Sequence, residues 1–148
     1  MSCDKTFVYG LNDISKVVQY LRDTFMFCRV FAFYGPLGAG KTTLARELLR
    51  SCSISGAITS PTFTYLNVYK NDQGQKFYHF DLYRLSNLND FLEAGFDEYL
   101  SDEESICLIE WPEIIESLLK QKVCRVTIDY HRDSQKRSLQ CCVVGAAH

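Results

Sequence analysis

Continuous runs of apolar residues predict two strands that are buried on both faces. Residues 30–34 read Val-Phe-Ala-Phe-Tyr, and residues 105–109 read Ser-Ile-Cys-Leu-Ile. Short apolar runs rich in β-branched and aromatic residues are typical of a sheet that is covered on both sides. Five further segments are predicted to be strands, and they are residues 6–9, 65–69, 76–81, 124–130 and 139–144. The chain is therefore expected to build a central β-sheet.

Helical periodicity separates several of these strands. After Asn12 or Asp13, either of which can cap a helix, apolar residues recur at the i, i+3, i+4 and i+7 positions. These positions are Ile14, Val17, Val18, Leu21 and Phe25. A second helix is predicted to begin near Thr43 and to end at residues 51–56, because the residues between them favour helix. The first helix is expected to bury one face.

Two shorter helices complete the predicted elements. One covers residues 89–94 and stops at Gly95, and the other runs from Pro112, which fits a first helical turn, through Leu119. Strands alternate with helices in the first half of the chain, whereas hairpins such as the predicted turn at 71–74 intervene elsewhere. The sequence therefore predicts an α/β fold, a three-layer sandwich with a central mixed, mainly parallel β-sheet.

Length and composition indicate a single globular domain over residues 1–148, since 47% of the residues are apolar and 23% are charged. The net charge is −2 and the 16 basic residues are scattered, so neither a broad nucleic-acid footprint nor DNA binding is expected. No segment approaches the roughly 18 consecutive apolar residues of a membrane span. A cytoplasmic protein without membrane attachment is expected. Its seven cysteines form no C-x-x-C pair and are expected to be structural thiols.

The segment between the strand at 30–34 and the next helix is rich in glycine and ends in lysine and threonine. It matches the pattern G-x-x-x-x-G-K-[ST] of a phosphate-binding loop, in the strand–loop–helix context that this motif requires. Chance would produce the four fixed positions in only about one chain of this length in a few hundred. The predicted nucleotide-binding residues are Gly35, Pro36, Leu37, Gly38, Ala39, Gly40, Lys41, Thr42 and Thr43.

Each part of this loop has a chemical role in the prediction. Glycines let successive backbone N–H groups converge on phosphates, and the start of a helix adds partial positive charge. Lys41 is expected to reach the β and γ phosphates as a point charge, which makes it a predicted catalytic residue as well. The Thr42 hydroxyl is a predicted Mg²⁺ ligand, and Thr43 can add a further hydroxyl contact.

A P-loop enzyme needs a further carboxylate near the loop to hold Mg²⁺ directly or through water. Two carboxylates end predicted strands, Glu110 after residues 105–109 and Asp81 after Phe80. Both are predicted catalytic and metal-binding residues, and the sequence leaves open which one binds Mg²⁺ and which one orients the attacking water. The alternative for either is a structural role, as an N-cap or as the partner of Arg84.

Four further positions have more than one interpretation. Thr62 lies in residues 59–64, a hydroxyl-rich segment that is either a nucleotide-sensing switch or a Ser-Pro turn before a strand. His79 is interpreted as a half-buried strand histidine rather than a ligand. Arg84 is either an arginine finger or an ion-pair partner. Trp111 is either a core or interface residue or a ring that stacks on a base.

Four ordered motifs together look like one known family. They are Gly-Pro-Leu-Gly-Ala-Gly-Lys-Thr-Thr at 35–43, Ser-Pro-Thr-Phe at 60–63, His-Phe-Asp-Leu-Tyr-Arg at 79–84 and Ile-Glu-Trp at 109–111. In this combination the sequence resembles the TsaE (YjeE) family, the bacterial ATPase of tRNA threonylcarbamoyladenosine biosynthesis. The resemblance spans essentially the whole chain and implies a P-loop NTPase-like form of the α/β sandwich.

The resemblance also implies roles for individual residues. The phosphates of ATP would lie on residues 35–43, Mg²⁺ would lie at Thr42 and Glu110, and a switch would surround Thr62. Asp81 would serve hydrolysis or water-mediated metal binding. The implied cofactors are therefore ATP or ADP and Mg²⁺.

The resemblance further implies two protein partners, TsaD and TsaB, which transfer the threonylcarbamoyl group to adenosine 37 of tRNAs that read codons beginning with A. TsaE itself would not make the modification, and its weak, partner-stimulated hydrolysis would reset the complex. tRNA would be met only indirectly, through that complex. Residues 11–15 should lie near the adenine, whereas the loop at 131–137 is a residue longer than the family's turn. Base or ribose contacts by Ser134 or Arg137 are therefore not predicted.

Two other functions are consistent with a phosphate-binding loop. A small-molecule P-loop kinase would start similarly but needs an arginine-bearing lid, and no arginine pair has a suitable spacing. A nucleotide-gated scaffold would use ATP binding to order residues 59–64, with hydrolysis incidental. A GTPase is disfavoured because the chain has no Asn-Lys-x-Asp guanine signature.

Overall fold

The computed structural model describes residues 4–59, 61 and 64–145. Within these ranges the strands are β1 (Lys5–Tyr9), β2 (Val30–Tyr34), β3 (Leu66–Lys70), β4 (Lys76–Asp81), β5 (Ser105–Glu110), β6 (Val123–Tyr130) and β7 (Arg137–Val144). The α-helices are α1 (Ile14–Thr24), α2 (Lys41–Arg50), α3 (Leu88–Glu93) and α4 (Phe96–Leu100), and 3₁₀ helices cover Leu11–Asp13 and Pro112–Leu118. None of the helices in the described ranges has the length and apolar character needed to cross a membrane.

The seven strands form one sheet in the order β1-β7-β6-β2-β5-β4-β3. The four central strands, β6, β2, β5 and β4, run parallel to one another. The pairs β1 with β7, β6 with β7 and β3 with β4 are antiparallel. The predicted mixed sheet is confirmed, but parallel pairing is confined to its centre because hairpin-connected strands flank the centre on both sides.

Helices cover both faces of this sheet. On one face α1 and α2 pack against alternate strand residues, including Phe31 and Phe33 of β2, which are fully buried. On the other face Val30 and Ala32 of the same strand lie in a second buried cluster, together with residues of α3, α4 and the second 3₁₀ helix. Strand β2 is therefore buried on both sides, as its continuous apolar run predicts.

The helix predicted from Pro112 through Leu119 is present over Pro112–Leu118, as a 3₁₀ helix that is interrupted at Ile115. The φ of −118° and ψ of 17° at Ile115 are not helical. The Ile115 side chain is fully buried against the sheet. Tertiary packing of this side chain therefore outweighs the local preference for a regular α-helix.

Helix α4 is not predicted from the sequence. Gly95 ends α3 with left-handed backbone, φ +79°, but the chain enters a new helix at Phe96. The Phe96 ring lies 5.8 Å from the Phe80 ring and 5.5 Å from the Phe91 ring. A second short helix thus buries aromatic surface that an irregular loop would expose.

The described cysteines are mainly core residues. Those that are buried are Cys28, Cys52, Cys107, Cys124 and Cys141. Burial raises the pKa of the Cys28, Cys52 and Cys107 thiols and keeps them neutral. This packing agrees with the predicted structural role, although Cys28 lies in the loop before β2 and not in a strand.

Leu48 on α2 allows a direct test of the core between this helix and the sheet. Its side chain is fully buried, so we expect Leu48→Ala to lower the free energy of unfolding by about 2–5 kcal/mol. Leu92 on α3 is 39% exposed, and Leu92→Ala should change this energy by less than about 0.5 kcal/mol. Urea unfolding followed by circular dichroism measures both, and equal effects of the two variants would contradict the assigned packing.

Candidate functional site

The glycine-rich loop lies between the end of β2 and the first residue of α2. Gly35 has a φ of +147°, and a Cβ atom there would meet the Ile128 carbonyl oxygen of β6 at 2.2 Å. Only glycine fits between β2 and β6 at this point. Gly40 has a φ of +106° with open space around it, and it precedes the start of α2 at Lys41. The helix thus begins two residues before its predicted start at Thr43.

Two side chains of the β6–β7 hairpin hold the loop from outside. The Tyr130 hydroxyl donates a hydrogen bond to the Leu37 carbonyl, and Arg137 Nε donates to the Ala39 carbonyl at 3.1 Å. The Arg137 guanidinium also lies 5.5 Å from the centre of the Tyr130 ring. Neither loop contact is predicted from the sequence, because no local pattern reveals a hydrogen bond between residues more than 90 positions apart.

Lys41 is buried at the floor of the loop, with 5% of its surface exposed. Its ammonium donates to the Gly35 carbonyl and lies 3.1 Å from the centre of the Trp111 ring. Burial lowers the pKa of the Lys41 ammonium, and neighbouring carboxylates oppose this shift, Glu113 most strongly. The ammonium is thus held by a carbonyl and an aromatic face, both of which a phosphate group can replace.

Glu110, at the end of β5, is a buried carboxylate held at both of its oxygens. It is 1% exposed. Its Oε1 accepts a hydrogen bond from the Thr42 hydroxyl at 2.5 Å, and its Oε2 lies 2.6 Å from His79 Nε2. Thr42 belongs to α2 and His79 to β4, so three elements meet at this carboxylate.

Asp81 lies beside Glu110 in a less enclosed environment. The two residues are paired across β4 and β5, so their side chains leave the sheet at the same level. Asp81 is half-buried, and this burial raises the pKa of its carboxyl group. The Tyr83 N–H, which donates to Oδ1 at 3.1 Å, lowers that pKa, and Glu110 raises it.

Two cavities flank the loop. One, of about 460 Å³, is lined by the predicted residues Lys41, Thr42, Asp81 and Glu110 together with Trp111. The other, of about 280 Å³, lies on the opposite side of Gly38 and Gly40, and its further lining includes Tyr9, Leu11, Ile14, Ser134 and Arg137. The structure therefore brings the predicted catalytic and metal-binding residues together. It also places the start of the 11–15 segment beside the loop.

The oxygen atoms of the larger cavity are chemically suited to Mg²⁺. A hydroxyl from Thr42 and carboxylates from Glu110 and Asp81 are hard oxygen donors of the kind that this cation prefers. They lie at the carboxyl ends of parallel strands and at the start of α2, where backbone N–H groups have no partner within the helix. Anionic phosphate and a divalent cation both fit this set of groups.

Several interpretations of single residues change with the structure. His79 was expected to be half-buried, but it is fully buried and contacts Glu110. Trp111 contacts Lys41 and packs at a tilt against the Tyr83 ring, 4.8 Å between ring centres, so it lies on the side of the loop that faces the larger cavity. The Arg84 guanidinium lies 6.0 Å from the Tyr65 ring centre and also lowers the pKa of Asp81. Thr62 lies outside the described residues, so its predicted role stays a prediction.

Comparison with known proteins gives consistent matches. A family model described as "Threonylcarbamoyl adenosine biosynthesis protein TsaE" matches residues 9–139. A Haemophilus influenzae protein named "tRNA threonylcarbamoyladenosine biosynthesis protein TsaE" is 42% identical over 105 residues, which cover 71% of this chain and 65% of that protein. A Bacillus subtilis protein of the same name is 36% identical over 107 residues, which cover 72% and 65% of the two chains. The chain thus spans just under two thirds of the length of these curated relatives.

A solved structure is similar over a greater length. The crystal structure of Bacillus subtilis YdiB matches with a TM-score of 0.70 and 28% sequence identity. The match covers 98% of this chain and 88% of the YdiB chain. The arrangement of sheet and helices is therefore shared with an experimentally determined protein.

The two positive-φ glycines of the loop provide a test of its geometry. Both Gly35→Ala and Gly40→Ala place a side chain at positive φ, which costs about 1–2 kcal/mol. Gly35→Ala also forces a methyl group against the Ile128 carbonyl, which we expect to cost about 1–3 kcal/mol more. Urea unfolding measures the difference. Equal losses of stability in the two variants would show that β6 does not press against Gly35.

Proposed function

Because the chain belongs to the TsaE family, we propose that it is a Mg²⁺-dependent P-loop ATPase of tRNA threonylcarbamoyladenosine biosynthesis. The observation that supports this most directly is the meeting of Lys41, Thr42, Asp81 and Glu110 at one cavity beside the loop. A cation, a hydroxyl and two carboxylates at the carboxyl edge of a parallel sheet are the groups that phosphoryl transfer requires. In this proposal residues 1–148 form one domain with a P-loop NTPase-like fold.

The loop of residues 35–43 binds the phosphates of ATP in this proposal. Its glycines leave the backbone open, and the first N–H groups of α2 point toward the same space. Lys41 exchanges its contacts with the Gly35 carbonyl and the Trp111 ring for phosphate oxygens. Its low exposure supports this role, because a buried ammonium interacts more strongly with phosphate than one surrounded by water.

Thr42 and Glu110 are the proposed Mg²⁺ ligands. Their oxygens already lie 2.5 Å apart across the cavity wall, and an ionised carboxylate at 1% exposure needs a close partner to be tolerated. When bound, the ion neutralises the charge of the phosphates and polarises the group being transferred. Burial and contacts thus support Glu110 as the direct Mg²⁺ ligand, a choice that the sequence leaves open.

Asp81 is the proposed residue for orienting the attacking water and accepting its proton. It is more exposed than Glu110, and it lines the cavity beside Arg84. The raised pKa of its half-buried carboxyl group makes it a better base than an ordinary aspartate. Water-mediated metal binding by Asp81 is compatible with the same position.

The proposed partners are TsaD and TsaB, which the family resemblance implies. In this scheme the complex modifies adenosine 37 of tRNA, and ATP hydrolysis by this chain, weak alone and stimulated by the partners, resets the complex. A net charge of −2 supports contact with tRNA through the partners, because independent tRNA binding normally relies on clustered basic residues. The proposed location is the cytoplasm, with neither DNA nor membrane as a partner.

The ATPase proposal is tested by hydrolysis of ATP to ADP and phosphate, with and without Mg²⁺, TsaD, TsaB and tRNA. We expect slow Mg²⁺-dependent hydrolysis that the partners accelerate. Lys41→Ala should lower it at least about 100-fold, as expected when a group that stabilises transition-state charge is removed. Lys16→Ala, which removes an exposed lysine of α1, should leave it unchanged. Hydrolysis that the partners do not affect would favour a small-molecule kinase instead.

The separate roles of the two carboxylates give a second test. Asp81→Asn should lower kcat by about 100-fold to 10,000-fold, the range for loss of a general base, while Mg²⁺-dependent ADP binding remains. Glu110→Gln should weaken that Mg²⁺-dependent binding itself. Single-turnover kinetics and calorimetric titration of ADP distinguish these effects. If Glu110→Ala left turnover of the modification complex unchanged, the chain would be a nucleotide-gated scaffold.

A further inference from the structure

We propose that His79 is a positioning residue that fixes the orientation of the Glu110 carboxylate for binding of the divalent cation. This inference rests on the proposed function, and it concerns a histidine that the proposed chemistry does not use. His79 Nε2 lies 2.6 Å from Glu110 Oε2, and the two side chains are 0% and 1% exposed. The contact is therefore a short hydrogen bond in a place that water does not reach.

The direction of this hydrogen bond follows from the chemistry of the two groups. An ionised carboxylate only accepts, so the proton of the 2.6 Å contact lies on His79 Nε2. His79 Nδ1 is buried, and it has no hydrogen-bond partner among the residues that the structure describes. The contacts thus favour Nε2 as the ring nitrogen that donates to Glu110.

The sheet register explains why this histidine contacts Glu110 from the side of the core and not from the side of the cavity. Glu110 pairs with Asp81 across β4 and β5, and His79 pairs with Leu108. His79 and Asp81 are two residues apart and share one face of β4, so His79 lies one step deeper in the core on the same side as the carboxylate. Among the described residues that line the cavity, Glu110 and Asp81 are present but His79 is not. His79 therefore contacts the carboxylate without being a candidate ligand.

A glutamate side chain has three rotatable bonds, and one fixed oxygen restricts where the other can point. With Oε2 held by His79, Oε1 faces the Thr42 hydroxyl at 2.5 Å. Without the histidine donor, Oε2 would be a buried acceptor with no partner, and rotation toward the cavity would relieve that cost. Hydrogen-bonding partners of this kind hold metal-binding carboxylates in one orientation. The His79 hydrogen bond is thus expected to support cation binding rather than nucleotide binding as such.

The test compares variants that differ in the hydrogen-bond donor. The His79→Leu variant lacks the donor, whereas the amide nitrogen of the His79→Gln variant lies near the position of Nε2 and can still donate. The amide of the His79→Asn variant lies near the position of Nδ1 and falls short of Glu110. Tyr78→Phe is the matched control, because Tyr78 is buried on the same strand and its hydroxyl bonds Asp102, away from the site.

Calorimetric titration gives the dissociation constant of ADP in EDTA and in Mg²⁺, and the constant in EDTA divided by the constant in Mg²⁺ measures cation binding in the complex. We expect this ratio to fall by about 10-fold to 100-fold in the Leu and Asn variants, as when a hydrogen bond to a metal ligand is lost. It should stay within about threefold of wild type in the Gln variant and in Tyr78→Phe, and the constant in EDTA should not change. Thermal unfolding identifies any variant that does not fold. If the Leu variant does not fold, the difference in this ratio between the Gln and Asn variants tests the inference.

The possible failures have different meanings. If wild type binds ADP in a Mg²⁺-dependent manner and the folded Leu or Asn variant keeps the same ratio, the role of His79 is overturned while the ATPase proposal stands. If the ratio falls as far in the Gln variant as in the Asn variant, hydrogen-bond donation to Glu110 does not determine cation binding, and the inference is equally overturned. If wild type binds no ADP, or binds it without regard to Mg²⁺, the proposed function fails first and the inference fails with it.

Discussion

The arrangement of the site depends on one requirement, that the buried carboxylate of Glu110 be satisfied at both oxygens. An ionised group with 1% of its surface exposed is unfavourable in a protein interior unless hydrogen bonds or a cation compensate for lost water. Thr42 on α2 and His79 on β4 provide those bonds. The carboxylate consequently links the helix that follows the glycine-rich loop to two strands of the sheet, and a shift of any of these elements would leave a polar atom without its partner.

The parallel centre of the sheet is what brings these elements to one edge. Strands β2, β4, β5 and β6 run in the same direction, so the loop after β2, Asp81, Glu110 and Tyr130 all lie where these strands end. The hairpin from β6 to β7 returns at the same edge, and Arg137 at the start of β7 holds the loop by its Ala39 carbonyl. The antiparallel strands at the borders therefore contribute to the site as well as completing the sheet.

The sequence predicts the elements that are specified by neighbouring residues. It does not predict contacts between residues that are far apart in the sequence. Local pattern and spacing are enough to recognise three features. They are the buried run at 30–34, the glycine-rich loop and the two carboxylates at strand ends. The 3₁₀ form of the helix at Pro112–Leu118 and the short helix α4 were not predicted, since packing of Ile115 and Phe96 decides them. The contact of His79 with Glu110 likewise could not be predicted, because the two residues are 31 positions apart and only the register of β4 and β5 brings them together.

That register also explains how two neighbouring carboxylates can have different chemistry. Asp81 and Glu110 are paired residues at the ends of adjacent strands, and two equivalent negative charges there would repel each other. The longer Glu110 side chain reaches donors from two other elements, whereas the hydrogen bond described for Asp81 comes from Tyr83, two residues along its own chain. Glu110 is thus fixed and enclosed, while Asp81 faces the cavity with a pKa raised by burial. Differences in environment of this kind suit Glu110 to its proposed role as a metal ligand and Asp81 to its proposed role as a base.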